Sequence, residues 1–366
     1  MVNFCMVRKG LACTGLERET LPTGRGTESI RRIRKESMVN LATRFFRLDL
    51  KSPVIAASST MTGHAAQIEK LAEAGAGAIV LKSIFEEEIH HQLQEEMNRR
   101  PRTRSDMEYM DYFDCVLRED SLRHYVHLIG EAKKAVSIPI VASIHCVSAG
   151  EWMAYAKAMQ DAGADALELN LFLVPSDFNK TGVDNDLFYL ETIRKVQQAV
   201  QIPVAIKISS YFSNLAGFVQ KLSETGIAGI TIFNRFCTPD IDISTQKVIV
   251  SDVLSSPHDF LIPLRWTGIL AGNLGCDLAA TTGIHSAETA LKFLLAGASA
   301  VQIASVLYNE GPAAITRMNR GIEAWMAEKG YQTLADFNGS LRSRKNAFAA
   351  AYERVQFMKY FGEKTY

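Results

Sequence analysis

A junction that recurs four times limits this chain to few folds. A helical segment ends at glycine and an apolar segment follows, as AGAGAIV at 74–80, AGADALEL at 162–169, TGIAGITIF at 225–233 and AGASAVQI at 296–303. Glycine just beyond an amphipathic segment is a common C-terminal signal of a helix, because glycine adopts the left-handed conformation without strain. The repeat therefore predicts helices and strands in alternation.

Eight short segments have the strand pattern, and nearly all are apolar along their whole length, as in parallel strands covered on both faces. They are residues 53–58, 78–83, 138–144, 166–170, 202–208, 229–234, 276–281 and 300–305. Eight such units over about 270 residues fit a (β/α)8 TIM barrel better than an open doubly wound sheet. No Gly-x-Gly-x-x-Gly follows a strand, which disfavours a Rossmann fold.

The barrel is expected over 38–345, with an insert at about 84–116 and a helical tail at 346–366. Residues 1–37 have no sustained period, and Met38 opens a segment typical of a folded domain, so we expect a disordered leader or a mis-assigned start.

The charges of the chain balance, with forty basic and forty acidic residues, so no nucleic acid is expected as a partner. No apolar run has the length of a membrane span, so no membrane is expected either. Six cysteines without a CxxC pair favour reduced thiols in the cytoplasm.

Polar side chains interrupt the apolar pattern where the predicted strands end, which is where a barrel of this kind places its functional groups. Lys82 and Ser83 end the second strand, and Lys207 lies within the fifth. A lysine in an apolar strand is costly to bury without a partner. Either both lysines face a ligand at one barrel mouth, or they snorkel or form buried ion pairs. The other strand-end residues singled out are Ala57, Ser58, Asn170 and Asn234.

The ends of the last two strands suggest a phosphate site. Thr282 and Gly283 follow the seventh strand, and Ala304 and Ser305 end the eighth. In barrels these loops, together with a helix N-terminus, commonly bind phosphate through backbone N–H groups. Two ordinary tight turns are the alternative. With the lysines, the pattern indicates a phosphorylated ligand.

The insert after the second strand contains His90 and His91 among carboxylates. Adjacent histidines point to different sides of a helix, and no zinc-protease spacing is present, so no metal is expected. A charged lid or an interface helix is the preferred interpretation.

The segments SPVIAASS, GAIVLKS, IPVAIKISSYFS, TTGIHSAETALKFLLAGASAVQIASVLYNEGP and KGYQTLADFNGSLRS together resemble the dihydroorotate dehydrogenase family, soluble class 1 type. The resemblance implies a TIM barrel that holds FMN at the strand ends. It implies that Lys207 and Lys82 contact the isoalloxazine, with Ala57, Ser58, Ser83 and Asn170 around it. It also implies that Asn234 binds substrate or flavin and that Thr282, Gly283, Ala304 and Ser305 hold the phosphate.

This chain departs from the family pattern on both sides of the flavin. The family usually has Gly-Gly at Thr282-Gly283 and Gly-Thr at Ala304-Ser305. The family loop Asn-x-Ser-Cys-Pro-Asn, whose Cys or Ser takes the substrate proton, aligns its cysteine with Leu173, which accepts no proton. The Asn-Ser-Met-Gly motif that helps grip the orotate carboxylate is absent from the insert. His145 and Cys146, at the end of the third strand, are the candidate catalytic residues in its place.

Three functions remain open at the level of sequence. The first is an FMN-dependent CH–CH oxidoreductase of pyrimidine biosynthesis, acting on dihydroorotate or another small carbon acid. The second is an FMN-binding protein that passes electrons to a redox partner protein, which the apolar residues 172–174 suit. The third is a Schiff-base aldolase using Lys82 or Lys207. A homodimer is the habit of the family.

Overall fold

The structure, a computed structural model, describes residues 39–85, 106–145, 149–235, 238–343 and 352–353, with only the backbone described for residues 85, 106–116 and 149–151. Its strands are β1 Thr43–Phe45, β2 Leu48–Leu50, β3 Val54–Ala56, β4 Ile79–Val80, β5 Ile84–Phe85, β6 Ile140–His145, β7 Ala166–Asn170, β8 Val204–Ile208, β9 Gly229–Ile232, β10 Pro239–Asp242, β11 Lys247–Val250, β12 Asp277–Thr281 and β13 Ala300–Ile303.

A closed parallel sheet forms the centre of the molecule, in the order β4-β3-β13-β12-β9-β8-β7-β6-β5. β4 and β5 both pair with β6, so they share one position and the barrel has eight. Each of the eight predicted strands is present, and the predicted (β/α)8 TIM barrel is confirmed.

Helices connect successive strands on the outside of the barrel, and those of the described residues are α1 Ala65–Glu73, α2 Asp106–Ala135, α3 Ala149–Asp161, α4 Gly182–Ala199, α5 Leu215–Ser223, α6 Leu261–Leu270, α7 Ala287–Ala296, α8 Ser305–Glu310 and α9 Ala313–Lys329. The predicted junction is seen clearly after α7, where Gly297 has φ +109° and its N–H bonds to Phe293 O at 3.0 Å. Within the described residues, no helix has the length and apolar character needed to cross a membrane.

The barrel interior is apolar at one end and polar at the other. At the amino end, Phe45 and Phe46 of the β1–β2 hairpin are fully buried and pack with inward residues such as Ile55, Val80 and Val141. An added Cβ on Gly229 would lie only 2.7 Å from the Phe45 ring, so this hairpin closes the floor tightly. Among the described residues, the barrel interior is therefore open to a ligand at its carboxyl end.

A second hairpin, β10–β11, follows β9 and was not predicted. Its aliphatic side chains are largely exposed, among them Ile241, Ile243, Val248 and Val250. Exposed apolar side chains grouped on one hairpin are typical of contact surfaces.

The predictions for the chain ends and the insert stay predictions. Residues 1–37, and 346–366 apart from 352 and 353, lie outside the described residues, as do 86–105 with His90 and His91. The later part of the predicted insert is described as the first turns of α2.

Candidate active site

One cavity of about 710 Å³ opens at the carboxyl ends of the barrel strands. Every residue predicted to contact the cofactor lines it: Ala57, Ser58, Lys82, Ser83, Asn170, Lys207, Asn234, Thr282, Gly283, Ala304 and Ser305. These residues come from seven strand ends that are far apart in sequence, and the closure of the sheet brings them together. The volume falls within the range of about 300–1,000 Å³ typical of small-ligand sites.

Lys207 lies at the bottom of this cavity and is 8% exposed. Its Nζ donates to Gln302 Oε1 at 3.3 Å. Gln302 Nε2 donates in turn to Glu168 Oε2 at 2.5 Å, and Thr231 Oγ1 donates to the same oxygen at 3.0 Å. Burial lowers the pKa of Lys207, and the nearby Glu168 carboxylate opposes that shift. Lys207 thus lines the cavity and has a buried carboxylate nearby, and its contact with a ligand stays a prediction.

A row of hydroxyl groups crosses the neighbouring strands beside Lys82. Ser58 Oγ lies 3.0 Å from Ser83 Oγ, which lies 2.7 Å from Ser143 Oγ. The Tyr125 hydroxyl accepts from Ser143 N at 2.8 Å, and burial raises the pKa of that phenol. The hydroxyl of Ser83 is thus positioned from both sides at the cavity wall.

The turn after β12 has an unusual backbone. Thr282, which is not glycine, has φ +78°, and Gly283 has φ +73°. The Thr282 hydroxyl donates to Phe233 O at 3.0 Å, which supports the turn. A left-handed β-branched residue costs energy and often occurs where function requires it. Ser255, from the loop after β11, contacts both this turn and the end of β13. Its Oγ accepts from Gly283 N at 3.3 Å, and its N donates to Ser305 Oγ at 2.9 Å.

Two asparagines, from the ends of β7 and β9, pair in the cavity lining, where the Asn234 amide donates to Asn170 Oδ1. The Asn170 main-chain oxygen accepts from His145 Nδ1 at 2.7 Å. His145 itself is buried and does not line the cavity, and its ring lies 5.0 Å from that of Phe172. Cys146 lies outside the described residues.

The loop after β7 presents hydrocarbon to the cavity. Phe172 is one of the lining residues, whereas Leu173 is half-buried and packs against the main core. The Leu173 N–H donates to the Tyr189 hydroxyl at 3.0 Å, and burial raises the pKa of Tyr189 to about 12. Leu173, at the position of the family's proton acceptor, is therefore held in packing instead of facing the cavity.

Several lining residues were not predicted, chiefly Glu168, Gln302, Phe233, Ser255 and Tyr308. The first two could have been found, because each is a polar residue within an apolar strand. Within the described residues, no cluster of three or more histidine, cysteine, aspartate or glutamate side chains has the arrangement of a metal site.

Comparison with known proteins identifies the family of this chain. The family model described as dihydroorotate dehydrogenase matches residues 40–326. This chain belongs to the dihydroorotate dehydrogenase family. The resemblance found in the sequence is thereby confirmed, and the chain is an oxidoreductase of the dehydrogenase type.

Individual relatives of this dihydroorotate dehydrogenase family member are distant but matched over long stretches. The catalytic subunit of dihydroorotate dehydrogenase B (NAD(+)) of Thermoplasma volcanium is 27% identical over 309 residues, which cover 82% of this chain and 98% of the relative. The corresponding subunit of Methanothermobacter thermautotrophicus is 24% identical, covering 82% and 97%. A provisionally named dihydroorotate dehydrogenase A (fumarate) of Aeropyrum pernix is 28% identical, covering 61% and 74%.

Proposed function

We propose that this chain is an FMN-dependent oxidoreductase that acts on CH–CH bonds, with FMN in the cavity at the strand ends. The observation that carries the proposal is the convergence of all the predicted cofactor residues on one cavity in a chain of this family. When bound, FMN supplies the two-electron redox chemistry that protein side chains lack. Family membership favours this function over a Schiff-base aldolase.

The donor set of the cavity suits both parts of FMN. The turn at Thr282 and Gly283, with Ala304 and Ser305 beside it, would supply backbone N–H groups for a phosphate, with the Gly283 N–H turning from Ser255 Oγ to the ligand. Lys207 and Lys82, which line the same cavity, offer cations for the pyrimidine edge of a flavin ring. A cation at that edge stabilises the negative charge that the ring gains on reduction.

We infer that the substrate is dihydroorotate or another small carbon acid, and that His145 or Cys146 replaces the missing proton acceptor of the loop. Because His145 does not line the cavity in this structure, a proton would reach it through an intervening water. The bond to the Asn170 carbonyl requires His145 Nδ1 to hold a proton. In a neutral imidazole the atom able to accept a proton is then Nε2. The pairing of Asn170 with Asn234 would orient the substrate beside the ring.

The runner-up is a barrel that passes electrons between FMN and a partner redox protein. Its support is the apolar character of the mouth, where Phe172 lines the cavity and Val174 is 51% exposed. The relatives named as catalytic subunits of dihydroorotate dehydrogenase B agree with an assembly of this kind. The exposed β10–β11 hairpin would suit such a partner or a second copy of the chain.

Anaerobic addition of dihydroorotate to the FMN-loaded protein tests the substrate. We expect the absorbance of oxidised flavin to bleach, and we expect His145→Gln to slow the bleaching by about 10²-fold, the usual contribution of a general base. Dithionite serves as the control, because it reduces bound flavin without a substrate site. A flavin that bleaches with dithionite and stays oxidised with dihydroorotate would exclude that substrate.

A further inference from the structure

Glu168 is a buried carboxylate in the cavity lining, and it has no role in the reaction as proposed so far. Glu168, Thr231 and Gln302 are all fully buried inside the barrel. Glu168 Oε1 has no hydrogen-bond partner among the described residues, whereas Oε2 has two. Burying a carboxylate is costly unless a charge or strong donors compensate it, so its presence here needs a reason.

The Gln302 amide is oriented by both of its neighbours. Its NH2 group faces the Glu168 carboxylate, and its oxygen faces the Lys207 ammonium. The Thr231 hydroxyl, 3.0 Å from Glu168 Oε2 and 3.1 Å from Gln302 Nε2, adds a second donor to the carboxylate. This polarity, from anion through amide to cation, matches an ionised glutamate and a protonated lysine.

The charges around Lys207 show why Glu168 matters for the protonation state of that lysine. Burial disfavours the ammonium form of Lys207, and the Glu168 carboxylate is the group that favours it. The other strongly charged residues of the cavity lining, Lys82 and Arg235, are cations and cannot help. A neutral amine at position 207 would not stabilise a negative ring.

We propose that Glu168 is a positioning residue: acting through Gln302, it fixes the Nζ of Lys207 and keeps it an ammonium ion, and so sets how tightly the site holds reduced relative to oxidised flavin. The last part of this inference rests on the proposed function, whereas the first part concerns the protein alone. The two parts are tested separately.

The first test uses the protein without flavin. Lys207 is acetylated with acetic anhydride across a range of pH, and mass spectrometry of its peptide gives the apparent pKa of the amine. Glu168→Gln keeps the shape of the side chain and removes its charge, so we expect the apparent pKa of Lys207 to fall by about one unit or more. Gln302→Met, which keeps both charges and removes the bridge, should lower it less.

Thr231→Val is the matched control, because it removes one hydrogen bond to the same carboxylate and leaves the charge in place. We expect it to leave the apparent pKa of Lys207 near the wild-type value. An unchanged Lys207 value in Glu168→Gln, or an equal fall in Thr231→Val, would overturn the proposal whether or not the protein binds flavin.

The second test measures the midpoint potential of bound FMN against pH. The plot of potential against pH should break where Lys207 loses its proton, and in Glu168→Gln we expect this break at lower pH than in the wild type. Below the break, the potential of Glu168→Gln should be higher than that of the wild type, because the ammonium is uncompensated. Above the break it should be lower, because the amine is neutral. The double variant with Lys207→Met should lack the break. A wild type that binds no FMN would refute the proposed function, whereas bound FMN with no such break would refute the role of Glu168 alone.

Discussion

Replacing Gly283 by alanine should weaken FMN binding by at least about 100-fold and lower the free energy of unfolding by about 2–4 kcal/mol. Gly283 has φ +73°, a conformation that strains any side chain. Its new Cβ would lie 2.3 Å from Phe260 N and 2.8 Å from Asp259 C, which are backbone atoms and cannot rotate away. The turn would have to shift, and with it the N–H groups proposed to bind phosphate.

Denaturant unfolding and quenching of FMN fluorescence measure the two effects. Gly130→Ala is the matched control, since Gly130 lies within α2 and an added Cβ there meets nothing within 4 Å. We expect that variant to bind FMN normally and to be slightly more stable, because alanine favours a helix by about 0.5–1 kcal/mol over glycine. Normal FMN affinity in a folded Gly283→Ala protein would show that this turn does not bind the phosphate.

Replacing Lys207 by methionine should lower the midpoint potential of bound FMN and slow its reduction. The variant removes the cation from the cavity floor, and a hydrogen bond to a charged group contributes about 1.5–3 kcal/mol. We therefore expect reduced FMN to lose at least about tenfold in affinity relative to oxidised FMN, which corresponds to about 30 mV for a two-electron couple. Potentiometric titration of the loaded variant measures the change.

Lys221→Met is the control for Lys207→Met, because Lys221 is an exposed lysine of α5 and its loss should not move the potential. An unchanged potential in Lys207→Met would mean that this lysine does not face the flavin. The measurement on Lys82→Met would then identify which cation does.

Most of the barrel and of its mouth could be predicted because parallel strands impose a simple pattern. Apolar runs give the strands, and the closed sheet brings their carboxyl ends to one rim, so a list of strand-end residues is already a list of neighbours. Lys207 stood out as a charge in an apolar strand. Glu168 in ALELN and Gln302 in AVQIAS are likewise polar residues in apolar strands, but their contact with each other is seen only in the structure.

The two hairpins could not be predicted from local signals. The two-residue turn between β1 and β2 places Phe46 and Arg47 at φ 57° and 59°, where Asn-Gly is the usual sequence. Two tertiary contacts stabilise this turn without Asn-Gly: Phe46 is buried, and the Arg47 side chain donates to Gly226 O at 2.8 Å. The β10–β11 turn likewise lacks glycine, with Gln246 at φ 53°.

The loop after β7 remains the point where this chain differs most from its family. Asn170 is retained and pairs with Asn234, whereas Leu173 packs into the core and Phe172 faces the cavity. A flavin site can persist through such a change, because its donors lie on other strands. The substrate chemistry is what this loop puts in question.

Titration of the protein with FMN and with riboflavin tests the central claim most directly, since the two ligands differ only in the phosphate. If the cavity binds flavin with the phosphate at Thr282, Gly283 and Ser305, one FMN should bind per chain and riboflavin should bind at least about 100-fold more weakly, as expected for the loss of several charge-assisted hydrogen bonds. Equal affinity for both ligands, or no binding of either, would contradict the account.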